Sequence, residues 1–155
     1  MSFIIIILGL LADYFSKRWA LATLSTGGRI DLIKGYLDFE YLENRGAAFG
    51  IFQGNVIALS VISLTIAAVL VYMLFKYCKQ SKVLAAALSL IIAGALGNIY
   101  DRLVYGFVVD FIHAHWMDVY HFPTFNVADM CVTGGTVLMI IYILFIDGKK
   151  NEAKA

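Results

Sequence analysis

The sequence predicts an all-α integral membrane protein with four transmembrane helices. Three observations carry this. The chain of 155 residues is 61% hydrophobic and only 15% charged, with a mean hydropathy of +0.82, against roughly 45–50% apolar content in an ordinary soluble domain. Residues 56–75 and 83–97 hold no charged side chain, and 127–146 holds only Asp129, whereas about 20 mostly apolar residues suffice to cross the hydrocarbon core. Six of the eight lysines lie in the connection between the second and third apolar runs or in the tail, as expected of a protein whose loops lie on two sides of a bilayer. A net charge of +1, from 12 basic and 11 acidic residues, carries no nucleic-acid footprint. Cys78 and Cys131 have no CxxC or zinc spacing, so no disulfide framework or metal site is assigned.

The elements follow in order within a single membrane domain, 1–155. Residues 3–24 are read as the first helix. They are not read as a secretory signal, because they have no basic leader and no small-residue cleavage site. Asp13 and Lys17 stand four apart on one face of this helix, and such charges turn toward a bundle interior. The outer connection 25–55 contains Tyr36-Leu-Asp-Phe-Glu-Tyr-Leu42, whose partial alternation predicts a strand. Gly27-Gly28 and Asn44-Arg45-Gly46 read as turns on either side of it, and 47–53 as a short interfacial helix. The second helix is 56–75 and the third 83–105, stopped by Gly106. The connection 106–126 is rich in aromatics that suit a membrane interface, and the fourth helix is 127–146. Lys76, Lys79 and Lys82 lie between helices two and three, and Lys149, Lys150 and Lys154 in the tail, while no Lys or Arg occurs between Arg102 and Lys149. Both termini are therefore expected in the cytoplasm and the connections 25–55 and 106–126 outside.

This topology gathers polar residues at the outer boundary. Asn98, Asp101 and Arg102 share one helical face. Asp110 follows the helix stop, and Asn126 and Asp129 open the fourth helix. Each has a structural reading: Asn126 an N-cap with Asp129 in the first turn, Asp101–Arg102 an interfacial ion pair, Asp13–Lys17 a pair inside the bundle. His113, His115 and His121 are the residue types of a metal site, but without a regular helical spacing they are read as surface residues. Taken together, two carboxylates at the mouth of a membrane bundle suit peptide hydrolysis, one ionised and activating water, the other protonated and donating to the carbonyl. Asp101 rivals Asp110 on spacing alone. The shared proton is expected more often on Asp110, in its aromatic surroundings. The rival classes are an ion-conducting subunit, which wants acids strung along the membrane depth, and a non-catalytic assembly subunit, which has no use for paired aspartates.

Five blocks in order resemble bacterial lipoprotein signal peptidase (signal peptidase II). They are Asp13-Tyr-Phe-Ser-Lys17, Asn44-Arg-Gly-Ala-Ala-Phe-Gly50, Ala93-Gly-Ala-Leu-Gly-Asn-Ile-Tyr-Asp-Arg102, Val108-Val-Asp-Phe111 and Phe125-Asn-Val-Ala-Asp129. Tyr14 stands where many members have glutamine, and Ala93 replaces the first glycine of its block. The resemblance implies an aspartic endopeptidase of the bacterial inner membrane, with a small outer β-cradle and an outer loop. It implies lipidated prolipoproteins as substrates, cut before the diacylglyceryl-cysteine, and globomycin-type inhibitors. It assigns Asp110 and Asp129 as the catalytic pair. Asn44, Gly46, Asn98, Arg102 and Asn126 become substrate-binding or supporting residues, and Asp13, Lys17 and Asp101 structural ones. No cofactor is implied.

Overall fold

The computed structural model describes residues 1–46, 55–117 and 119–147. The expected interfacial helix at 47–53 and the tail beyond Asp147 lie outside these. The chain runs α1 (Ser2–Leu24), β1 (Ile30–Ile33), β2 (Leu37–Asn44), α2 (Val56–Tyr77), α3 (Lys82–Tyr105), β3 (Val108–Trp116), β4 (Tyr120–His121) and α4 (Val127–Ile141). A π-helical turn, Tyr142–Asp147, continues α4. Among the described residues, three helices are long and apolar enough to cross a membrane: Val56–Tyr77, Lys82–Tyr105 and Val127–Asp147. The protein is thus mostly helical, with three candidate spans and a small antiparallel sheet.

Helix α3 is the centre of the bundle, packed against α1, α2 and α4. Ser81 starts it, its hydroxyl accepting the Val83 and Leu84 N–H groups at 3.2 and 3.4 Å. Gly106 ends it with φ +78°, a left-handed conformation that glycine adopts at little cost. The close approach of α4 requires small residues. A Cβ on Gly94 would meet the Ala128 carbonyl oxygen, and one on Gly135 the Ala87 carbonyl oxygen.

The burial pattern is inverted relative to a soluble protein. Phe3, Leu8, Phe15, Ile57, Leu64 and Phe75 are exposed, whereas Asp13, Lys17, Ser89, Asp101, Asp110 and Asn126 are buried. An apolar exterior of this extent needs lipid around it. Apolar packing does occur inside, in two places. Leu74, Leu84, Leu88, Ile92 and Tyr142 hold α2, α3 and the end of α4 together. Ala20, Leu24, Val109 and Phe111 seat β3 on the end of α1.

The sheet order is β1-β2-β3-β4, all antiparallel. The β1–β2 hairpin turns through Gly35 at φ +83°. Strand β2 runs on through Asn44, which pairs with Val108 while Leu42 pairs with Asp110. Asn44 is therefore the last strand residue, two beyond the expected strand end, and the Gly46 N–H returns to its Oδ1 at 3.0 Å in the turn that the Asn-Arg-Gly context suggests. Strand β3 is also new relative to the sequence reading, which saw only an aromatic connection. Val108, Val109, Asp110 and Phe111 are all buried, so the strand is covered on both faces and shows no alternation. Trp19 of α1 meets Phe39 and Phe111 edge-on, with centroids 5.3 and 6.2 Å apart, and fastens the sheet to the bundle.

Lys17 sits at the junction. Its ammonium lies 2.8 Å from Asp13 and 3.0 Å from Asp101, and donates to Asn98 Oδ1 at 2.9 Å. Removing one partner of a buried ion network leaves uncompensated charge at a cost of about 3–5 kcal/mol. Lys17→Met should therefore destabilise the protein by about that much, measured by unfolding in detergent micelles; an unchanged midpoint would show that the network carries no stability.

Candidate active site

Two aspartates face one cavity of about 860 Å³ between the sheet and the adjoining ends of α3 and α4. Asp110 comes from β3, which is held on both sides. On one side it pairs with β2. On the other, the Phe125 carbonyl accepts the N–H groups of Phe111 and Ile112 at 3.0 and 2.8 Å. Behind it, the Val109 N–H donates to Asp101 Oδ2 at 3.1 Å. Asp129 comes from the first turn of α4, in a capping box with Asn126. The Asp129 N–H donates to Asn126 Oδ1 at 2.9 Å, and the Asn126 N–H donates to Asp129 Oδ2 at 3.1 Å.

The capping reading of Asn126 thus holds, but the residue does more. Its side-chain amide donates to Asp110 Oδ1 at 2.6 Å, and also reaches Asn98 Oδ1 at 3.2 Å. One asparagine therefore holds a carboxylate of β3 by its side chain and a carboxylate of α4 by its backbone. The remaining oxygens are also served by amides: Asn44 donates to Asp110 Oδ2 and Asn98 to Asp129 Oδ1, both at 2.8 Å. The Gly46 N–H donates to Asn44 Oδ1 at 3.0 Å and orients it. Arg102 donates to the Gly46 carbonyl at 3.1 Å and lines the same cavity.

Every residue singled out in the sequence as catalytic or supporting is brought to this one layer. The three residues read as structural form the shell beneath it. Asp13 accepts the Ala128 N–H at 2.8 Å and so anchors the start of α4. Asp101 is tied to Lys17 and β3 and faces a groove between α1 and α3, away from the cavity of the aspartates. The sequence reading passed over Pro123, Thr124 and Thr133, which also line the cavity. A proline beside a threonine in an aromatic loop carries no chemical signature, so only tertiary placement reveals them. The histidine reading needs correction. His113 is buried at 6% exposure, and His113 and His115 gather on Asp38 farther along β3, because β2 covers them.

Burial pushes the Asp110 carboxyl up to about 7, assisted by the negative charge of Asp129 and opposed by the Asn44 and Asn126 amides. A carboxyl group near neutrality can both give and take a proton at working pH.

The sequence matches the family model described as signal peptidase (SPase) II over residues 5–145. The chain belongs to the signal peptidase II family. A lipoprotein signal peptidase of Clostridium tetani is 49% identical over 154 residues, covering 98% of this chain and 97% of that protein. One of Clostridium novyi is 47% identical over 144 residues, covering 93% and 97%. One of Listeria welshimeri is 33% identical over 153 residues, covering 98% of each. Two solved structures of a bacterial membrane enzyme, determined by the in meso method, superpose with TM-scores of 0.82. They are 36% and 35% identical, covering 92% and 94% of this chain and 87% and 93% of theirs. This signal peptidase II chain is accordingly an integral membrane protease.

The elevated Asp110 carboxyl has a thermodynamic signature. Between its ordinary value of 3.8 and about 7, the folded protein keeps a proton that the unfolded chain has released. The stability from this group is complete below about pH 4 and is lost as pH rises through about 7. Asp110→Asn cannot ionise. The stability of the native protein relative to this variant should therefore fall between pH 4 and pH 8, by up to about 4 kcal/mol at about 1.4 kcal/mol per pH unit. Unfolding measured at both pH values checks this; a pH-independent difference would contradict the assignment.

Proposed function

We propose that this protein is an aspartic endopeptidase of the bacterial inner membrane that removes signal peptides from lipidated prolipoproteins, cutting before the diacylglyceryl-cysteine. Signal peptide removal from prolipoproteins follows from the family. The aspartic mechanism rests on one observation above the others: Asn126 binds both Asp110 and Asp129, one by side chain and one by backbone.

In this reading the Asp129 carboxylate takes a proton from water as the water oxygen attacks the scissile carbonyl. Asp110, carrying its proton, donates to the carbonyl oxygen. The tetrahedral adduct then collapses, with the leaving nitrogen taking a proton from Asp129 and Asp110 recovering its own from the adduct hydroxyl. The protonation states return to their starting point. The amides of Asn44, Asn98 and Asn126 hold the carboxylates in place, and Arg102 with Gly46 forms the rim against which the substrate backbone lies. Globomycin-type inhibitors would fill the same cavity.

The membrane placement extends this reading. Helix α1 is the fourth span: its 23 residues reach about 34 Å at 1.5 Å each, against a hydrocarbon core of about 30 Å. Asp13 and Lys17 do not face lipid, because each is buried against the other. The Lys76–Lys82 connection and both termini lie in the cytoplasm, and the aspartates at the outer face. An ion path would string its acids through the depth. Here Asp13 and Asp101 are both closed off by Lys17.

Asp110→Asn and Asp129→Asn should each cut turnover of a lipidated precursor by roughly 10²–10⁴-fold or more, with the purified proteins still folded by circular dichroism. Near-normal turnover in either would remove it from the reaction. A precursor lacking the diacylglyceryl group should react at least about 100-fold more slowly, since each buried acyl methylene contributes about 0.8 kcal/mol. Equal rates for the two precursors would show that lipid is not recognised.

A further inference from the structure

The sheet carries a second cluster of chemistry that peptide hydrolysis does not use. Asp38 of β2 stands opposite His113 of β3 in the strand register, and His115 stands opposite His121 of β4. Asp38 is wholly buried, and the side chains of His113 and His115 are 7% and 5% exposed. His121 is exposed. The three imidazoles are parallel within 11°, with centroids 5.0–5.6 Å apart.

Hydrogen-bond accounting shows which ring nitrogens are available. His115 Nδ1 lies 2.7 Å from the Met117 carbonyl oxygen. A carbonyl only accepts, so this nitrogen carries the proton. His115 Nε2 lies 3.4 Å from Arg29 Nη2. A guanidinium only donates, so this nitrogen presents a lone pair. The same nitrogen is 2.9 Å from Asp38 Oδ2. On His113, Nε2 lies 3.1 Å from His121 Nδ1 and can donate its proton there. His113 Nδ1 lies 3.3 Å from each Asp38 oxygen and donates to that carboxylate, which only accepts; when a cation takes its place on Asp38, the proton passes to Nε2 beside His121 and Nδ1 presents a lone pair.

Two imidazole nitrogens and a carboxylate therefore converge, with the opposite nitrogen of each ring beside a partner that can take its proton. Metal-binding histidines have this arrangement, in which the far N–H is fixed by a carbonyl or another acceptor. The ligand atoms of Asp38, His113 and His115 all lie within 4.8 Å of one another. Bonds of about 2.0–2.1 Å to a tetrahedral ion place donors about 3.3 Å apart, so no pair of ligand atoms need close in by more than about 1.5 Å.

We propose that Asp38, His113 and His115 form a binding site for a divalent transition ion of the zinc class, with the fourth position open to solvent beside Glu40. Two imidazoles with one carboxylate suit zinc and its neighbours, whereas calcium and magnesium take oxygen ligands. Arg29 occupies the cation's place in the metal-free protein: its Nη2 touches Asp38 Oδ2 at 2.6 Å and His115 Nε2 at 3.4 Å. Its side chain is 48% exposed and already has Asp31 as an alternative partner, at 3.5 Å. It can swing to Asp31 when the ion enters. The bound ion ties β2 to β3, the strand that carries Asp110, and so braces the sheet that forms one wall of the cavity.

The test is calorimetric titration of zinc chloride into the full-length protein, purified in detergent without a polyhistidine tag and stripped with chelator. Cobalt absorption spectra report the ligand geometry. One ion per chain is expected, with a tetrahedral cobalt spectrum. His115→Gln and His113→Gln should each weaken binding at least 100-fold, with folding checked by circular dichroism. His121→Ala should weaken it roughly 10–100-fold, by releasing the far N–H of His113. Arg29→Ala should tighten it, because the competing cation is gone. This variant has its histidines intact and keeps the proposal testable if the glutamine variants do not fold. The Asp110→Asn, Asp129→Asn double variant should bind as the native protein does, which separates this site from the catalytic carboxylates. No saturable binding by the folded native protein, unchanged binding in His115→Gln, or weaker binding in Arg29→Ala would each overturn the proposal.

Discussion

One buried ammonium organises this molecule. Lys17 projects from α1 into an interior where a lone charge would be prohibitively costly, and it is tolerated because two carboxylates and an amide oxygen meet it there. Each of those partners holds another element. Asp13 takes the Ala128 N–H and fixes the start of α4. Asp101 takes the Val109 N–H and fixes β3. Asn98 reaches Asp129. The charges that interrupt the apolar run of α1 thus help to set the positions of β3 and α4, and with them Asp110 and Asp129.

The interior follows from the solvent. With lipid outside, apolar side chains gain little by burial, and association of helices falls to close packing and polar contacts. Gly94 and Gly135 supply the first, by letting α4 approach the backbone of α3. The Asp13–Lys17–Asp101 network supplies the second. No buried side-chain nitrogen or oxygen among the described residues lacks a hydrogen-bond partner, as such a network requires if it is to rigidify the structure.

Economy of contacts is evident at the site. Asn126 serves as helix cap, as donor to Asp110 and as backbone anchor for Asp129. A cap is worth about 1 kcal/mol on its own, so stability alone would accept serine or threonine there. Only a side chain with both an acceptor oxygen and a donor NH₂ can cap α4 and hold Asp110 together. The same strand that presents Asp110 continues into His113 and His115, so the sheet serves two clusters of polar chemistry from one register with β2.

By itself the sequence determined the apolar helices, the stop at Gly106, the cap at Asn126, and the gathering of asparagines and aspartates at one end. These are local properties: run length, caps and i, i+4 spacing depend on neighbours in the chain. It also pointed to Asp110 and Asp129 through block resemblance, although spacing alone left Asp101 a rival. Only the tertiary structure decided that Asn44 lies in a strand, that β3 exists, and that Asp101 turns away from the cavity. It alone stacked the histidines on Asp38. All of these depend on pairing between segments far apart in sequence, such as Asp38 with His113 and Asn44 with Val108. A strand buried on both faces leaves no alternation to read, and a hydrogen bond between distant residues leaves no local trace.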